Sequence, residues 1–130
     1  MARFLWICLG GAAGTGARYL VAGWVQRAFG PTFPVGTLAV NLVGSFLLGL
    51  LMVVALNTEL MSPTVRLALT TGVMGGFTTY STFSYETLGM LQQGAWGSAA
   101  LNISVTIVAC LESPWATAAC SIYTCVTLAT

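Results

Sequence analysis

The sequence predicts an all-α membrane protein with four transmembrane helices, the third of them broken. Composition predicts this class first, because 57% of the 130 residues are hydrophobic and only 5% are charged. Soluble domains are about 25% charged, so four basic and three acidic side chains could not cover the surface of a soluble fold. Apolar runs of about 20 residues, the length that crosses a bilayer, also recur along the chain. We therefore expect the lipid bilayer to surround most of the molecule.

The spans are expected to form a single transmembrane domain over residues 1–130, with short loops. We expect four spans, over residues 4–25, 35–56, 67–92 and 99–123. Span two has no charged residue, and the stretch QRAFGPTFP predicts a turn before it. Nothing in this layout leaves room for a folded pocket outside the bilayer.

Span four is the least regular of the four. Glu112 and Pro114 interrupt its apolar pattern after Cys110. A charge at the centre of a span costs about 2.5–3.5 kcal/mol, and proline removes a helical hydrogen bond. The sequence leaves open whether this helix kinks and continues to about Tyr123 or stops early.

The arginines are divided almost evenly between the two ends of the predicted bundle. Arg3 and Arg66 lie at one end, while Arg27 and, near it, Arg18 lie at the other. The distribution of lysine and arginine between the two ends sets the orientation in the membrane. A nearly even distribution therefore predicts that the chain inserts in both directions. A chain that inserts both ways can pair with itself, so we predict an antiparallel dual-topology homodimer.

Small residues form stripes on two of the spans. Gly10 and Gly14 make one Gly-x-x-x-Gly pair, and Gly72 and Gly76 make a second. Such stripes allow helix backbones to approach closely in lipid. They predict helix–helix contacts and indicate nothing about chemistry.

Uncharged polar side chains form lines along spans two and four. Thr37, Asn41 and Ser45 follow one another at four-residue spacing, as do Asn102 and Thr106 in span four, which places each set on one helix face. An amide that faced lipid would lose its hydrogen bonds, so these lines should face protein or water. Hydrogen bonding between helices and an ion path both remain open interpretations.

The stretch GGFTTYSTFSYE, residues 75–86, adds a third polar line. Its glycine pair weakens the helix and predicts a break in the region from Gly75 to Thr79, and unwound backbone at membrane depth is tolerated only in protein or beside a cavity. Freed carbonyls can coordinate a small cation. Tyr80 and Phe83 share a face, and the positive edges of their rings can contact an anion. Three neutral polar lines together favour a narrow path for a small ion.

Two charged residues border this path. Arg18 follows the small-residue stretch GGAAGTGA, and Glu86 lies one helical turn beyond Phe83. Each side chain could stand at a pore mouth or simply reach the solvated membrane surface. The sequence alone leaves both interpretations open.

Three motifs resemble the Fluc/CrcB family of bacterial fluoride channels. They are GGAAGTGARY (10–19), GTLAVNLVGSFLLG (36–49) and TTGVMGGFTTYSTFSYE (70–86), in the order in which the family has them. The resemblance covers about residues 1–106, and the third motif is highly specific. It implies a fluoride-selective channel that exports F⁻ passively through two pores of an antiparallel homodimer, in the bacterial inner (plasma) membrane.

The resemblance also assigns residues. It implies a structural Na⁺, not transported, at the dimer centre, held by backbone carbonyls of Gly75 and Thr78 of each subunit. The predicted fluoride pore contains the family's asparagine, its two aromatic positions, its hydroxyl track and the polar lines, namely Asn41, Tyr80, Phe83, Ser81, Thr82, Ser84, Thr37, Asn102 and Thr106. Arg18 and Glu86 match positions at the vestibule or interface.

The chain departs from the family pattern at two places. Tyr80 stands where the family usually has phenylalanine, and the chain after Cys110 is less apolar than the family's fourth helix.

Two other function classes are alternatives to a fluoride channel. A small dual-topology exporter of cationic drugs needs an intramembrane carboxylate, and only Glu112 could lie inside a span. A non-transporting membrane scaffold is the other alternative. Without histidine, a Cys-x-x-Cys pair, clustered carboxylates or a basic patch, we expect neither an enzyme nor a nucleic-acid-binding protein.

Overall fold

The computed structural model describes the backbone of residues 1–57 and 61–128 and the side chains of residues 1–55 and 61–114. Within these residues the fold is all helical. The elements are α1 (Ala2–Phe29), α2 (Val35–Asn57), α3 (Pro63–Leu67), a π-helical segment (Ala68–Met74), α4 (Gly75–Phe77), α5 (Tyr80–Gln92) and α6 (Trp96–Leu128). The four elements from α3 to α5 together form the third span. The described chain thus has the four helical segments that the sequence predicts, of which Ala2–Phe29 and Val35–Ala55 are long and apolar enough by themselves to cross a membrane.

The backbone of α6 continues through Pro114 to Leu128. Proline at this position leaves the carbonyl of Cys110 without its usual amide donor. The hydroxyl of Ser113 donates to that same carbonyl at 3.4 Å, which offsets the missing bond. Of the two alternatives that the sequence left open, the structure has the continuing helix.

The break in the third span lies at Thr78 and Thr79. Both residues have extended backbone, with φ −84° and ψ 157° for Thr78 and φ −150° and ψ 110° for Thr79. The break lies within the predicted region, from Gly75 to Thr79, although Gly75 and Gly76 themselves are helical in α4. The break therefore falls at the end of the predicted region and not at the glycines.

Gly76 is needed for helix packing. A Cβ atom at this position would lie 2.5 Å from the carbonyl oxygen of Gly11 in α1. A Cβ at Gly14 would likewise meet the carbonyl oxygen of Val73. The two predicted glycine stripes therefore pack against each other within one chain. Because later residues of α1 meet later residues of the third span, these two spans run parallel.

Candidate functional site

Asn41 in α2 joins the broken part of the third span. Its side-chain Nδ2 donates to the carbonyl oxygen of Thr79 at 3.1 Å, and its Oδ1 accepts from the Thr79 amide at 2.7 Å. Both residues are buried. The Oδ1 of Asn41 thus replaces the helical acceptor that the amide of Thr79 loses, and Nδ2 adds a bond to the Thr79 carbonyl. Asn41 was predicted as a pore residue; its contact with Thr79 was not.

The hydroxyl of Thr79 caps the N-terminus of α5 and contacts two other hydroxyls. Its Oγ1 accepts from the amide of Thr82 at 3.2 Å, as an N-cap does. The same oxygen donates to Oγ1 of Thr82 at 2.9 Å and lies 3.2 Å from Oγ of Ser81. Three neutral hydroxyls therefore meet where the helix restarts.

The break also changes the carbonyl of Gly75. In a continuous helix this oxygen would accept from the amide of Thr79, but that amide donates to Asn41. The preceding bond, from Thr78 to Met74 at 3.0 Å, is still helical. Gly75 is exposed, and a Cβ atom built on it meets no other atom within 4 Å. The carbonyl of Gly75 thus lacks the amide donor that it would have in a continuous helix.

A cavity of about 280 Å³ lies against this hydroxyl cluster, near the middle of α1. We call it the mid-span cavity. Its lining residues are Thr15, Arg18, Tyr19, Ala22, Thr37, Val40, Thr79 and Thr82. The lining combines hydroxyl groups of α1, α2 and the third span with one guanidinium. The hydroxyls of Thr37 and Thr79 donate to Glu86 and Thr82, so the donors on the lining include the guanidinium of Arg18 and the hydroxyl of Thr82. A guanidinium beside a hydroxyl donor can bind an anion.

A second cavity, of about 630 Å³, lies between the loop before α2 and the end of α5. We call it the loop-end cavity, and its lining includes Gln26, Pro34, Tyr85, Glu86 and Gln93. Glu86 connects it to the mid-span cavity, because Oε1 of Glu86 accepts a hydrogen bond of 2.8 Å from the hydroxyl of Thr37. The other carboxylate oxygen, Oε2, is buried without a hydrogen-bond partner.

The two predicted pore aromatics lie together but differ in burial. Their ring centroids are 5.7 Å apart and the planes are inclined by 48°. Phe83 is buried, whereas Tyr80 is 80% exposed in the single chain. Ser81 and Ser84 are also exposed. One face of α5 therefore presents hydroxyls and an aromatic ring that no other part of the described chain covers.

Asn102 and Thr106 of α6 are both buried, but away from the two cavities. Nδ2 of Asn102 donates to Oγ1 of Thr87 at 2.9 Å, and that hydroxyl donates to the carbonyl oxygen of Phe83 at 2.7 Å. Asn102 therefore ties α6 to α5. The hydroxyl of Thr106 is buried without a hydrogen-bond partner.

Gln26 is a residue of this region that the sequence analysis missed. Its side-chain amide bonds three backbone groups of the loop before α2 and of α2 itself. The one available indication was its position, since it is an uncharged polar residue at the end of an apolar span. Nothing in its spacing pointed to its partners.

Comparison with known proteins identifies the family. A family model described as CrcB-like protein, Camphor Resistance (CrcB), matches residues 5–129. The chain belongs to the CrcB family. The resemblance inferred from the three sequence motifs is thereby confirmed, and the match extends beyond Cys110, through most of α6.

Several curated CrcB relatives are similar to this chain over most of its length. A protein of Sorangium cellulosum (strain So ce56) is 57% identical over 111 residues, which cover 85% of this chain and 87% of the relative. A protein of Anaeromyxobacter sp. (strain K) is 55% identical, with coverages of 89% and 92%. One of Geobacter sulfurreducens is 53% identical, with coverages of 89% and 94%. Each of the three is named fluoride-specific ion channel FluC, a name that describes a channel and not an enzyme.

Proposed function

We propose that this chain is a fluoride-selective ion channel that lets F⁻ leave the cell passively. The observation that carries the proposal is the mid-span cavity, which Thr37, Thr79 and Thr82 line together with Arg18. Fluoride is small and strongly hydrated, so closely spaced neutral donors must replace its water. The names of the CrcB relatives support fluoride as the ion.

The direction of transport follows from acid–base chemistry. HF crosses membranes, whereas F⁻ does not, so a less acidic cytoplasm traps fluoride as the anion. A passive path for F⁻ is then sufficient for export, which relieves fluoride toxicity. A phosphate-binding G-x-x-x-x-G-K motif is excluded because the sequence has no lysine. We place the protein in the bacterial plasma membrane as a multi-pass protein with a single domain.

The proposed path uses the predicted pore residues in two groups. Ring edges of Tyr80 and Phe83 and the hydroxyls of the α5 start contact the ion at mid-span, beside Asn41. Glu86 and Arg18 lie at the cavities on the way to the membrane surface. Asn102 and Thr106 belong to the path only if α6 of one chain faces it; within a single chain they contact α5 or the protein interior.

A second copy of the chain completes the proposed channel. The exposed face of α5 carries Tyr80, Ser81 and Ser84, and hydroxyls facing lipid would lack hydrogen-bond partners. A partner that covers this face removes the cost. The nearly even distribution of arginines supports an antiparallel partner inserted in the opposite orientation.

A structural sodium ion at the centre of this dimer fits the residues present. At the break the amide of Thr79 donates to Asn41 and not to the carbonyl of Gly75, and Gly75 is exposed. The extended backbone at Thr78 offers a second carbonyl next to it. Unwound backbone carbonyls are the ligands that coordinate Na⁺ in membrane proteins with broken helices. Among the described residues, no cluster of three or more histidine, cysteine or carboxylate side chains offers a different metal site.

Fluoride efflux from liposomes tests the channel proposal. Purified protein is reconstituted with internal fluoride or chloride, and efflux is followed for the wild type, Phe83→Ile and Phe46→Ile. We expect fast fluoride efflux without chloride efflux, lost in Phe83→Ile. Phe46 is exposed on α2, so Phe46→Ile is the matched control and should conduct normally. No efflux from dispersed, folded wild type would overturn the proposal and favour a membrane scaffold, whereas proton-coupled uptake of a cationic dye would favour the exporter.

Thermal unfolding tests the sodium proposal separately. The purified protein is unfolded in buffers that contain either Na⁺ or N-methyl-D-glucamine at equal ionic strength. An ion that binds only the folded dimer raises the melting temperature with its concentration. A Na⁺-dependent rise supports the site, and equal melting temperatures in both buffers contradict it.

A further inference from the structure

The side-chain amide of Gln26 is bonded at both ends. Nε2 donates to the carbonyl oxygens of Gly30 and Phe33, the latter at 2.9 Å. Oε1 accepts from the backbone amide of Gly36 at 3.0 Å. Gly30 has φ 87°, so the chain turns sharply after α1 and wraps around this side chain. One residue of α1 thus fixes the loop and the first turn of α2.

The amide of Gly36 is one of the first donors of a helix, which have no partner inside the helix. Gln26 supplies that partner from a different helix. Packing adds to the hydrogen bond, because a Cβ atom at Gly36 would lie 2.4 Å from the carbonyl oxygen of Ala22. The first turn of α2 is therefore held against α1 by a hydrogen bond and by direct backbone contact.

Thr37 follows Gly36 directly, and its hydrogen bond to Glu86 links the two cavities. Its hydroxyl lines the mid-span cavity and donates to Glu86, which lines the loop-end cavity. A hydrogen bond of 2.8 Å tolerates little displacement of its donor before it weakens. The placement of Gly36 therefore controls whether Thr37 reaches Glu86.

We propose that Gln26 is a positioning residue for ion passage, which acts through Gly36 to hold the hydroxyl of Thr37 on the carboxylate of Glu86. The inference rests on the proposed channel function. Gln26 borders the loop-end cavity, but all three of its bonds go to backbone groups. Its effect on fluoride is thus indirect, and removing the Thr37 hydroxyl should make Gln26 dispensable for conduction.

A double-mutant cycle in fluoride efflux tests this dependence. Gln26→Met keeps the length of the side chain and removes its bonds, and Thr37→Val removes the hydroxyl at nearly constant volume. We expect each single variant to reduce the rate of fluoride efflux about tenfold. The rate of the double variant should be less than about twofold below that of Thr37→Val alone. Phe29→Met, at an exposed position one turn later in α1, is the control and should match the wild type. The proposal is overturned if efflux of the double variant falls by the product of the two single reductions, or if Gln26→Met shows normal efflux.

The same cycle in thermal unfolding separates this inference from the channel function. If Gln26 holds Thr37, the fall in Tm of the double variant is smaller than the sum of the single falls by about 2 °C or more. This readout needs no ion flux, so it decides the positioning role even if the wild type conducts no fluoride. Additive falls overturn it. Should Gln26→Met fail to give a dispersed protein, Gln26→Leu takes its place under the same criteria, because it also lacks the acceptor for Gly36 and both donors.

Discussion

Asn41 binds the backbone of Thr79 through both ends of its side-chain amide, at 3.1 Å and 2.7 Å. A broken helix inside a membrane leaves amide and carbonyl groups that water cannot reach, and each costs free energy unless it is paired. One asparagine from a neighbouring helix pairs two of them. The side-chain amide of Asn41 in α2 therefore stabilises the break. Because the Thr79 amide donates to Asn41, the Gly75 carbonyl is left without its helical donor.

Replacing Asn41 tests this relationship. Asn41→Leu keeps the number of side-chain heavy atoms and leaves the Thr79 amide buried without a partner, which costs about 1–3 kcal/mol. We expect a clear fall in the melting temperature and loss of fluoride efflux. Ser45→Ala, one turn farther along the same line of α2, is the control and should be nearly neutral. An Asn41→Leu protein with wild-type stability would show that the amide does not support the break.

The start of α5 gives a second prediction. Thr79 Oγ1 caps the amide of Thr82, and loss of a threonine cap costs about 1 kcal/mol, within a range of about 0.5–2. Thr79→Val should lose that stability and also remove one hydroxyl from the mid-span cavity, which lowers fluoride efflux. Thr79→Ser retains the capping oxygen and should keep most of both. Equal behaviour of the valine and serine variants in unfolding and efflux assays would contradict the capping role.

A matched pair of changes in α6 tests two kinds of buried polar group. Asn102 is 2% exposed and donates to Thr87, whereas the Thr106 hydroxyl, one turn later, is buried without a partner. Asn102→Leu should destabilise the protein by about 1–3 kcal/mol, because it breaks a buried hydrogen bond. Thr106→Val should be neutral or stabilising, because it removes an unpaired hydroxyl at nearly constant shape.

The two α6 variants also differ in what their efflux would mean. Chemical unfolding gives the stability change, and liposome efflux gives the functional one. Reduced fluoride efflux in a fully stable Thr106→Val protein would support the predicted pore role of this hydroxyl. Destabilisation by Thr106→Val would instead show that it has a partner in the assembled protein.

Some features could be predicted from the sequence because they depend on local patterns. Hydrophobic runs of bilayer length define the spans, and four-residue spacing places Thr37 and Asn41 on one helix face. The glycine stripes of α1 and the third span indicated a close contact, which the structure has. These predictions needed only helical periodicity and side-chain size.

Other features depend on partners that are distant in the sequence. Asn41 and Thr79 are 38 residues apart, and Thr37 and Glu86 are 49 apart. No periodicity connects such pairs. The break falls at the end of the predicted region from Gly75 to Thr79, because weak helix propensity at glycine competes with the close packing that Gly76 makes possible. In the structure packing decides, so the glycines stay helical and the extended backbone follows them.

The neighbouring glycines Gly75 and Gly76 provide the last prediction, which distinguishes packing within the chain from packing between chains. A Cβ atom at Gly76 would lie 2.5 Å from the backbone of Gly11, whereas a Cβ at Gly75 meets nothing within 4 Å. Gly76→Ala should therefore destabilise each chain, by about 1–3 kcal/mol as overpacking usually does. Gly75→Ala leaves the chain undisturbed and should impair only a dimer that brings Gly75 of both copies together.

Oligomeric state and thermal unfolding of the two variants separate these effects. Gly76→Ala should lower the yield of folded protein whatever the oligomeric state. Gly75→Ala should yield folded chains with a weaker dimer and a smaller effect of Na⁺ on the melting temperature, since the proposed sodium ligands lie at the same place. A Gly75→Ala protein that dimerises normally and responds normally to Na⁺ would place the dimer centre away from the break. The exposed polar face of α5 would then require a different partner surface.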